Sequence, residues 1–141
     1  MTKKIIVTLI SLFCSTIVLS QTPSFRCNFS NGQITKFENN LPNTKKENGF
    51  VELIFDKVDT SKKTARLIGN AGAETVQAID GDESIHLIEF TGSGNMNITT
   101  IFVSDKFKRT GFFPVVHSRH VKIASSPLPS QYIGTCKELL Q

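Results

Sequence analysis

Two cysteines near opposite ends of the chain, Cys27 and Cys136, constrain the fold more than any other feature of this 141-residue sequence. They are 109 positions apart, and each lies in a segment that alternates like a β-strand, residues 24–29 and residues 131–137. The Cα atoms of a disulfide lie within about 7 Å of each other. A Cys27–Cys136 disulfide therefore predicts that the first and last strands are neighbours, whereas an intermolecular disulfide is the alternative.

The N-terminal segment, residues 1–20, has the organisation of a secretory signal peptide. Two lysines precede an uncharged run over residues 5–19, which is too short for a membrane-spanning helix. Val18 and Ser20 are small enough for a cleavage site before Gln21. We expect a periplasmic or secreted protein, in which an oxidising environment favours the disulfide. The alternative is an uncleaved membrane anchor.

The remaining chain, residues 21–141, is predicted to form a single β-rich domain. Phe25, Cys27 and Phe29 alternate with polar residues, so they share one face of the first strand. The pair Asn31-Gly32 predicts a hairpin turn directly after this strand, because a type I′ turn needs positive φ at both central residues.

Two polar segments, residues 38–49 and residues 105–111, are predicted to be loops. No window of helical length has a sustained 3.6-residue period, so we predict no long helix. About eight short strands remain, which favours an all-β fold, a small antiparallel barrel tied by one disulfide. A two-layer β-sandwich is the alternative. The eleven phenylalanines, ten of them beyond residue 20, are expected to fill the core.

The C-terminal part of the chain carries two short patterns, HSRH at 117–120 and PSQYIGTC at 129–136. Together they resemble the ending of small secreted bacterial proteins of unassigned function. Residues 88–91 and 99–101 are similar to that group as well. The resemblance implies export and a β-rich fold, and it implies no activity.

The charge of the chain argues against a nucleic-acid partner. The sequence has 16 basic and 12 acidic residues, and loss of residues 1–20 removes Lys3 and Lys4, which leaves 14 basic residues and a net charge of +2. The cluster of Lys106, Lys108 and Arg109 is interpreted as a solvated loop. No second apolar run follows the leader, so we expect no membrane span after cleavage, and we expect a monomer.

The histidines are the residues best suited to metal binding or catalysis. His117 and His120 are three positions apart on a predicted strand, so they point to opposite faces and cannot both bind one ion without a bulge. His86 could meet one of them across strands. No nucleophile elbow or phosphate-binding loop is present. We therefore predict no metal site, no cofactor and no catalysis.

The segment 117–120 nevertheless concentrates two histidines and an arginine. His117 and Arg119 share one face of their strand, and if that face is inward, Glu89 or Asp56 is expected to supply a counter-charge. Arginine suits carboxylate partners. We expect a non-catalytic binding protein that contacts an unknown protein or a small anionic ligand through His117, Arg119 and His120. A secreted inhibitor of a hydrolase and a histidine-dependent enzyme are the alternatives.

Overall fold

The computed structural model of the protein describes residues 22–49, 51–69 and 72–139. The predicted signal peptide and its cleavage site lie outside these residues. The described chain forms strands and one short helix, with the following bounds: β1 Ser24–Glu38, β2 Leu41–Glu47, β3 Val51–Asp59, β4 Thr64–Gly69, β5 Gly72–Gly81, β6 Ser84–Phe90, β7 Met96–Phe102, α1 Asp105–Thr110, β8 Phe113–His120, β9 Lys122–Ile123, β10 Ser126–Pro127 and β11 Ser130–Leu139.

Eight of these strands close into an antiparallel barrel. The order around the barrel is β1, β3, β4, β5, β6, β7, β8 and β11, and β11 pairs again with β1. The disulfide is formed, with Cys27 directly opposite Cys136 in the β1–β11 ladder and a Cα–Cα distance of 3.9 Å. The predicted barrel and the predicted neighbourhood of the first and last strands are confirmed. Because the barrel is closed, each of these strands is hydrogen-bonded along both edges. An unpaired strand edge, by contrast, is a template for pairing with another chain and for aggregation.

The two ends of the barrel differ. At one end, called here the α1 end, β1 and β8 begin, and Phe107 of α1 packs against the core. At the other, called the hairpin end, β8 finishes at His120 while β1 continues past the barrel and pairs with β2. The core is built from the side chains that alternate into the barrel along each strand. They include Phe25 and Phe29, both at most 3% exposed.

The predicted hairpin turn at Asn31-Gly32 is wrong. The strand β1 continues through these residues, with a register irregularity between Phe29 and Asn31. Gly32 lies opposite Tyr132, and a Cβ atom at Gly32 would be 2.5 Å from the Tyr132 ring. The glycine is therefore needed because an aromatic ring packs on the backbone, not because the chain turns.

The predicted loop over residues 38–49 is also wrong, because it contains β2. The chain turns at Asn39 and Asn40, whose φ angles are 53° and 63°. Asparagine tolerates this left-handed region better than most residues, so Asn-Asn makes the tight turn that Asn-Gly was expected to make. The result is a two-stranded ribbon, β1–β2, that extends beyond the barrel at its hairpin end.

The predicted loop over residues 105–111 contains the helix α1, which has only six residues. So short a helix has too few turns to produce a detectable 3.6-residue period. The residue after it, Gly111, has φ 69° and closes the helix with hydrogen bonds to the carbonyls of Phe107 and Lys108. The expectation for the phenylalanines holds in part: Phe55 is buried with other core residues, whereas Phe90 is 63% exposed.

Candidate functional site

Polar side chains line the inner face of the barrel towards its hairpin end. They come from β7, β8 and β11, where strand alternation points every second residue inward. We call this group the polar layer, and its members are Asn97, Thr99, His117, Arg119, Ser130 and Tyr132. Five of them are at most 9% exposed, and Arg119 is half-buried. Buried polar groups require hydrogen-bond partners, so the partners of this layer determine what it can do.

His117 lies in the interior of the polar layer. Its Nδ1 is 2.8 Å from Oγ1 of Thr99, and its ring centroid is 5.5 Å from that of Phe29. Burial, with a further contribution from the positive charge of Arg119, lowers the pKa of His117 to about 4. His117 is therefore neutral at pH 7 and contributes shape and hydrogen bonding rather than charge.

Tyr132 joins the barrel to the β1–β2 ribbon. Its hydroxyl donates a hydrogen bond of 2.6 Å to Oε2 of Glu47 on β2. Burial and then this hydrogen bond raise the pKa of Tyr132, while the neighbouring Ser130 and then Arg119 act in the opposite direction. Arg119 lies opposite Asn97 and Ser130 in the two neighbouring ladders, and strand alternation places it on the same inward face as His117.

The acids expected to pair with Arg119 have other partners. Glu89 accepts a 2.6 Å hydrogen bond from Nδ2 of Asn97. Asp56 lies on β3, where it accepts a hydrogen bond from Ser24 and pairs with Arg66 at 3.8 Å. Within the described ranges Arg119 forms no ion pair with a carboxylate.

Two buried oxygen atoms in the polar layer, Oδ1 of Asn97 and Oγ of Ser130, have no hydrogen-bond partner among the described residues. Asn97 and Ser130 lie directly opposite Arg119 on its two neighbouring strands. Since Nδ2 of Asn97 donates to Glu89, Oδ1 remains an acceptor. Leaving a buried polar group unpaired costs about 1–3 kcal/mol. The layer around Arg119 is therefore less completely satisfied than the rest of the core.

A surface groove adjoins this layer on the hairpin side. Its volume is about 330 Å³, and we call it the polar groove. Its lining residues come from β1, β2, β8, β11 and the residue before β11: Gln33, Thr35, Thr44, Ser118, Arg119, His120, Pro129, Ser130 and Gln131. No carboxylate is among these described residues. Arg119 and Ser130 are among the lining residues, although strand alternation directs their side chains towards the barrel interior and those of Ser118 and Gln131 outward.

Hydrogen bonds between its own side chains order the walls of the polar groove. Nε2 of Gln131 is 3.2 Å from Oγ of Ser118, and the hydroxyls of Thr35 and Thr44 are 2.8 Å apart. These contacts hold side chains from neighbouring strands in place. The groove therefore presents an amide and hydroxyl groups that are held by contacts with each other.

The structure brings together two of the three predicted contact residues. Arg119 and the exposed His120 both line the polar groove, whereas His117 is buried in the layer and is not among the lining residues. His86 lies apart from both other histidines, with its ring nitrogens 3.3 Å from Oγ of Ser84 and 3.0 Å from Oγ1 of Thr100. Within the described ranges no group of three or more His, Cys, Asp or Glu residues is placed to hold a metal ion.

Sequence reasoning missed the contributions of Asn97, Ser130 and the β1–β2 ribbon. Ser130 follows Pro129 at a strand boundary, which gives no periodic signal. The ribbon residues Gln33, Thr35 and Thr44 were hidden by the misplaced turn at Asn31-Gly32. Asn97 lies on the same face of β7 as Thr99 and Ile101. This two-residue period is the one signal in the sequence that identifies Asn97 as an inward polar residue.

Comparison of the chain with protein-family models, with curated proteins and with solved structures finds no significant match. In the part of the chain that the structure describes, no helix is long and apolar enough to cross a membrane.

Proposed function

We propose that this protein is an exported, non-catalytic binding protein that holds a small carboxylate ligand in the polar groove. Arg119 binds the carboxylate and His120 contacts it from the rim. His117 supports Arg119 from inside the barrel. The observation that carries the proposal is the position of Arg119, a half-buried cation among the lining residues of the polar groove that forms no ion pair with a carboxylate of the described ranges.

The physical reason is the strength of charge-assisted hydrogen bonds. A guanidinium presents several donors in a fixed plane that matches the two oxygens of a carboxylate. A partly desolvated arginine that has no ion-pair partner gains more free energy from binding a carboxylate than an arginine that already has such a partner.

Export rests on two observations. Residues 1–20 have the charge and hydropathy pattern of a signal peptide. The Cys27–Cys136 disulfide is compatible with an extracytoplasmic protein, since disulfides persist in oxidising compartments. Intact mass of the protein recovered from its host tests both points: we expect a chain that begins at Gln21 and contains no free thiol. A cytosolic, full-length chain with three alkylatable thiols would contradict export.

A titration followed by amide chemical shifts tests ligand binding. Sodium acetate, compared with sodium chloride at equal ionic strength, is expected to give saturable shifts around Arg119, His120 and Ser130. The variant Arg119→Ala should lose them. Arg109→Ala removes the same charge from the exposed helix α1 and should retain them. Shifts that do not saturate, or that persist in Arg119→Ala, would overturn the proposal.

One observation favours the second candidate, a secreted inhibitor of a hydrolase. The β1–β2 ribbon extends beyond the barrel and exposes two apolar side chains near its turn, Phe37 at 41% and Leu41 at 70%. Neither residue lines the polar groove. Replacing both with serine is expected to leave acetate binding unchanged. Inhibition of a hydrolase that is lost in this double variant, together with no carboxylate binding by the wild type, would favour the inhibitor.

A further inference from the structure

The outer surface of the barrel over β6, β7 and β8 differs from the rest in its charge. Buried residues such as Leu87, Ile101 and Val115 fix the inward positions of these strands, so the positions between them point outward. None of the outward positions within these three strands is Lys, Arg, Asp or Glu. We call this surface the apolar face, and its large apolar side chains are Ile88, Phe90, Met96, Ile98, Phe102 and Val116.

The opposite side of the barrel has the ordinary pattern of a solvated sheet. It is formed by β1, β3 and β4, which lie across the barrel from β6, β7 and β8. The outward positions there include Arg26, Glu52, Asp56 and Arg66. An antiparallel sheet with one face in water carries polar residues on that face. The apolar face therefore departs from the pattern that contact with solvent favours.

The apolar side chains form a continuous patch. Ile88 lies directly opposite Ile98 in the β6–β7 ladder. Phe90 and Phe102, towards the two ends of the same ladder, are 63% and 38% exposed. A contiguous exposed apolar patch on a protein surface marks an interaction site, whereas single exposed apolar residues do not.

The missing charges point to a second copy of the chain as the partner. In a symmetric dimer the same surface meets itself across a twofold axis. A charged residue near that axis would face its own like charge, which is destabilising. The apolar face avoids this repulsion. A lipid surface fits less well, because its anionic headgroups attract lysine and arginine, and the face carries neither.

The size of the apolar face sets the strength of such a dimer. The exposed Ile79 on β5 and Ile133 on β11 extend the face at its two borders. With strands about 4.8 Å apart and a rise of about 3.3 Å per residue, five strands cover roughly 600 Å². The barrel is convex, so two copies bury at most about 1,200 Å² in total, which is the upper end for weak, reversible interfaces. We expect a dissociation constant on the order of 10–100 µM.

We propose that the apolar face mediates a weak, symmetric homodimer, in which β6, β7 and β8 of one copy pack against the same strands of a second copy. Sheets packed face to face lie about 10 Å apart, so the outward side chains of the two copies interdigitate. This proposal replaces the expectation of a monomer, and it does not depend on carboxylate binding.

Sedimentation velocity and amide chemical shifts of the mature, oxidised protein, measured from about 10 µM to about 1 mM, test the dimer. We expect the average mass to rise towards that of a dimer. The amide shifts of β6, β7 and β8 should change with concentration, and those of β3 and β4 should not. A monomer at every concentration would overturn the proposal, and binding of that monomer to phosphatidylcholine vesicles would assign the face to lipid instead.

A matched pair of isoleucines provides the mutational test. Ile98 on β7 and Ile54 on β3 are both half-buried at outward positions, on opposite sides of the barrel. Ile98→Glu should weaken dimerisation at least tenfold, since it places like charges in the interface, whereas Ile54→Glu should leave dimerisation unchanged. Phe90→Ser removes an exposed side chain outside the core, and it should weaken the dimer without changing the far-ultraviolet spectrum. A dimer that survives both changes to the apolar face, or that Ile54→Glu weakens equally, would overturn the proposal.

Discussion

The two ends of the barrel use the same strands for different purposes. Towards the α1 end, inward positions of β7 and β8 hold Ile101 and Val115, both fully buried. Four positions along, towards the hairpin end, the same faces hold Asn97 and Arg119. The alternation of the strands is unchanged, yet the interior passes from apolar packing to incompletely paired polar groups. Under the proposed function, the α1 end stabilises the fold, and the hairpin end binds the ligand at a cost in stability.

Breaking the disulfide should have the largest effect on stability. The Cys27–Cys136 bond closes a loop of 109 positions, for which the chain-entropy model gives about 4–5 kcal/mol. We expect the Cys27→Ala, Cys136→Ala double variant to lose that much unfolding free energy in urea titrations, and to unfold near room temperature if the wild type is only marginally stable. A loss below about 1 kcal/mol would show that closure of the barrel does not depend on the bond.

A cavity in the apolar half should have the next largest effect. Ile101 is 0% exposed, so Ile101→Ala should cost about 2–5 kcal/mol of unfolding free energy. Ile133 on β11 is 53% exposed, and Ile133→Ala is the control, expected within about 0.5 kcal/mol of the wild type. Equal costs at the two positions would contradict the placement of the core.

Acid should destabilise the protein through His117. Its folded-state pKa of about 4 lies below the ordinary value of 6.5, so between these values the unfolded chain binds a proton that the folded protein does not. Stability from this group is complete above pH 6.5 and falls by up to about 3 kcal/mol as the pH drops to 4. His117→Asn should have a shallower slope of unfolding free energy against pH, and an unchanged slope would contradict a neutral, buried His117.

The smallest effect on stability should come from Ser130. Its buried hydroxyl forms no hydrogen bond with the described residues, so Ser130→Ala is expected to be neutral or to stabilise the protein by up to about 1 kcal/mol. Ser24 is equally buried, but its hydroxyl donates to Asp56 and accepts from the Lys57 amide. Ser24→Ala should therefore cost about 1–2 kcal/mol. Chemical denaturation of both variants makes the comparison, and similar losses would mean that the polar layer is fully paired.

The sequence was informative where one chemical rule decides the outcome. The two cysteines predicted that the first and last strands are neighbours, and β1 does pair with β11. Alternation predicted that Phe25, Cys27 and Phe29 share one face of their strand, and that face is buried in the core. It was misleading at Gly32, where a glycine required by the ring of Tyr132 resembles a turn glycine. The glycine is required by its contact with Tyr132, 100 positions later in the chain. The residues next to Gly32 give no indication of that contact.

The candidate site was predictable only in its charged residues. Arg119 and His120 stand out because of their chemistry, and both line the polar groove. Ser130 and Thr44 are ordinary residues in the sequence and become part of the groove through the closure of the barrel and the path of the ribbon. Which side of a strand is inward depends on the register of its neighbours, which the sequence of one strand does not determine.

The different roles proposed for the two ends are tested most directly by measuring Arg119→Ala twice, once for unfolding free energy and once for acetate binding. The account predicts a loss of unfolding free energy of at most about 1.5 kcal/mol, the net contribution of one hydrogen bond, together with loss of saturable acetate binding. Loss of stability by several kcal/mol with no separable binding defect would show that Arg119 is structural, and it would contradict the assignment of the hairpin end to ligand binding.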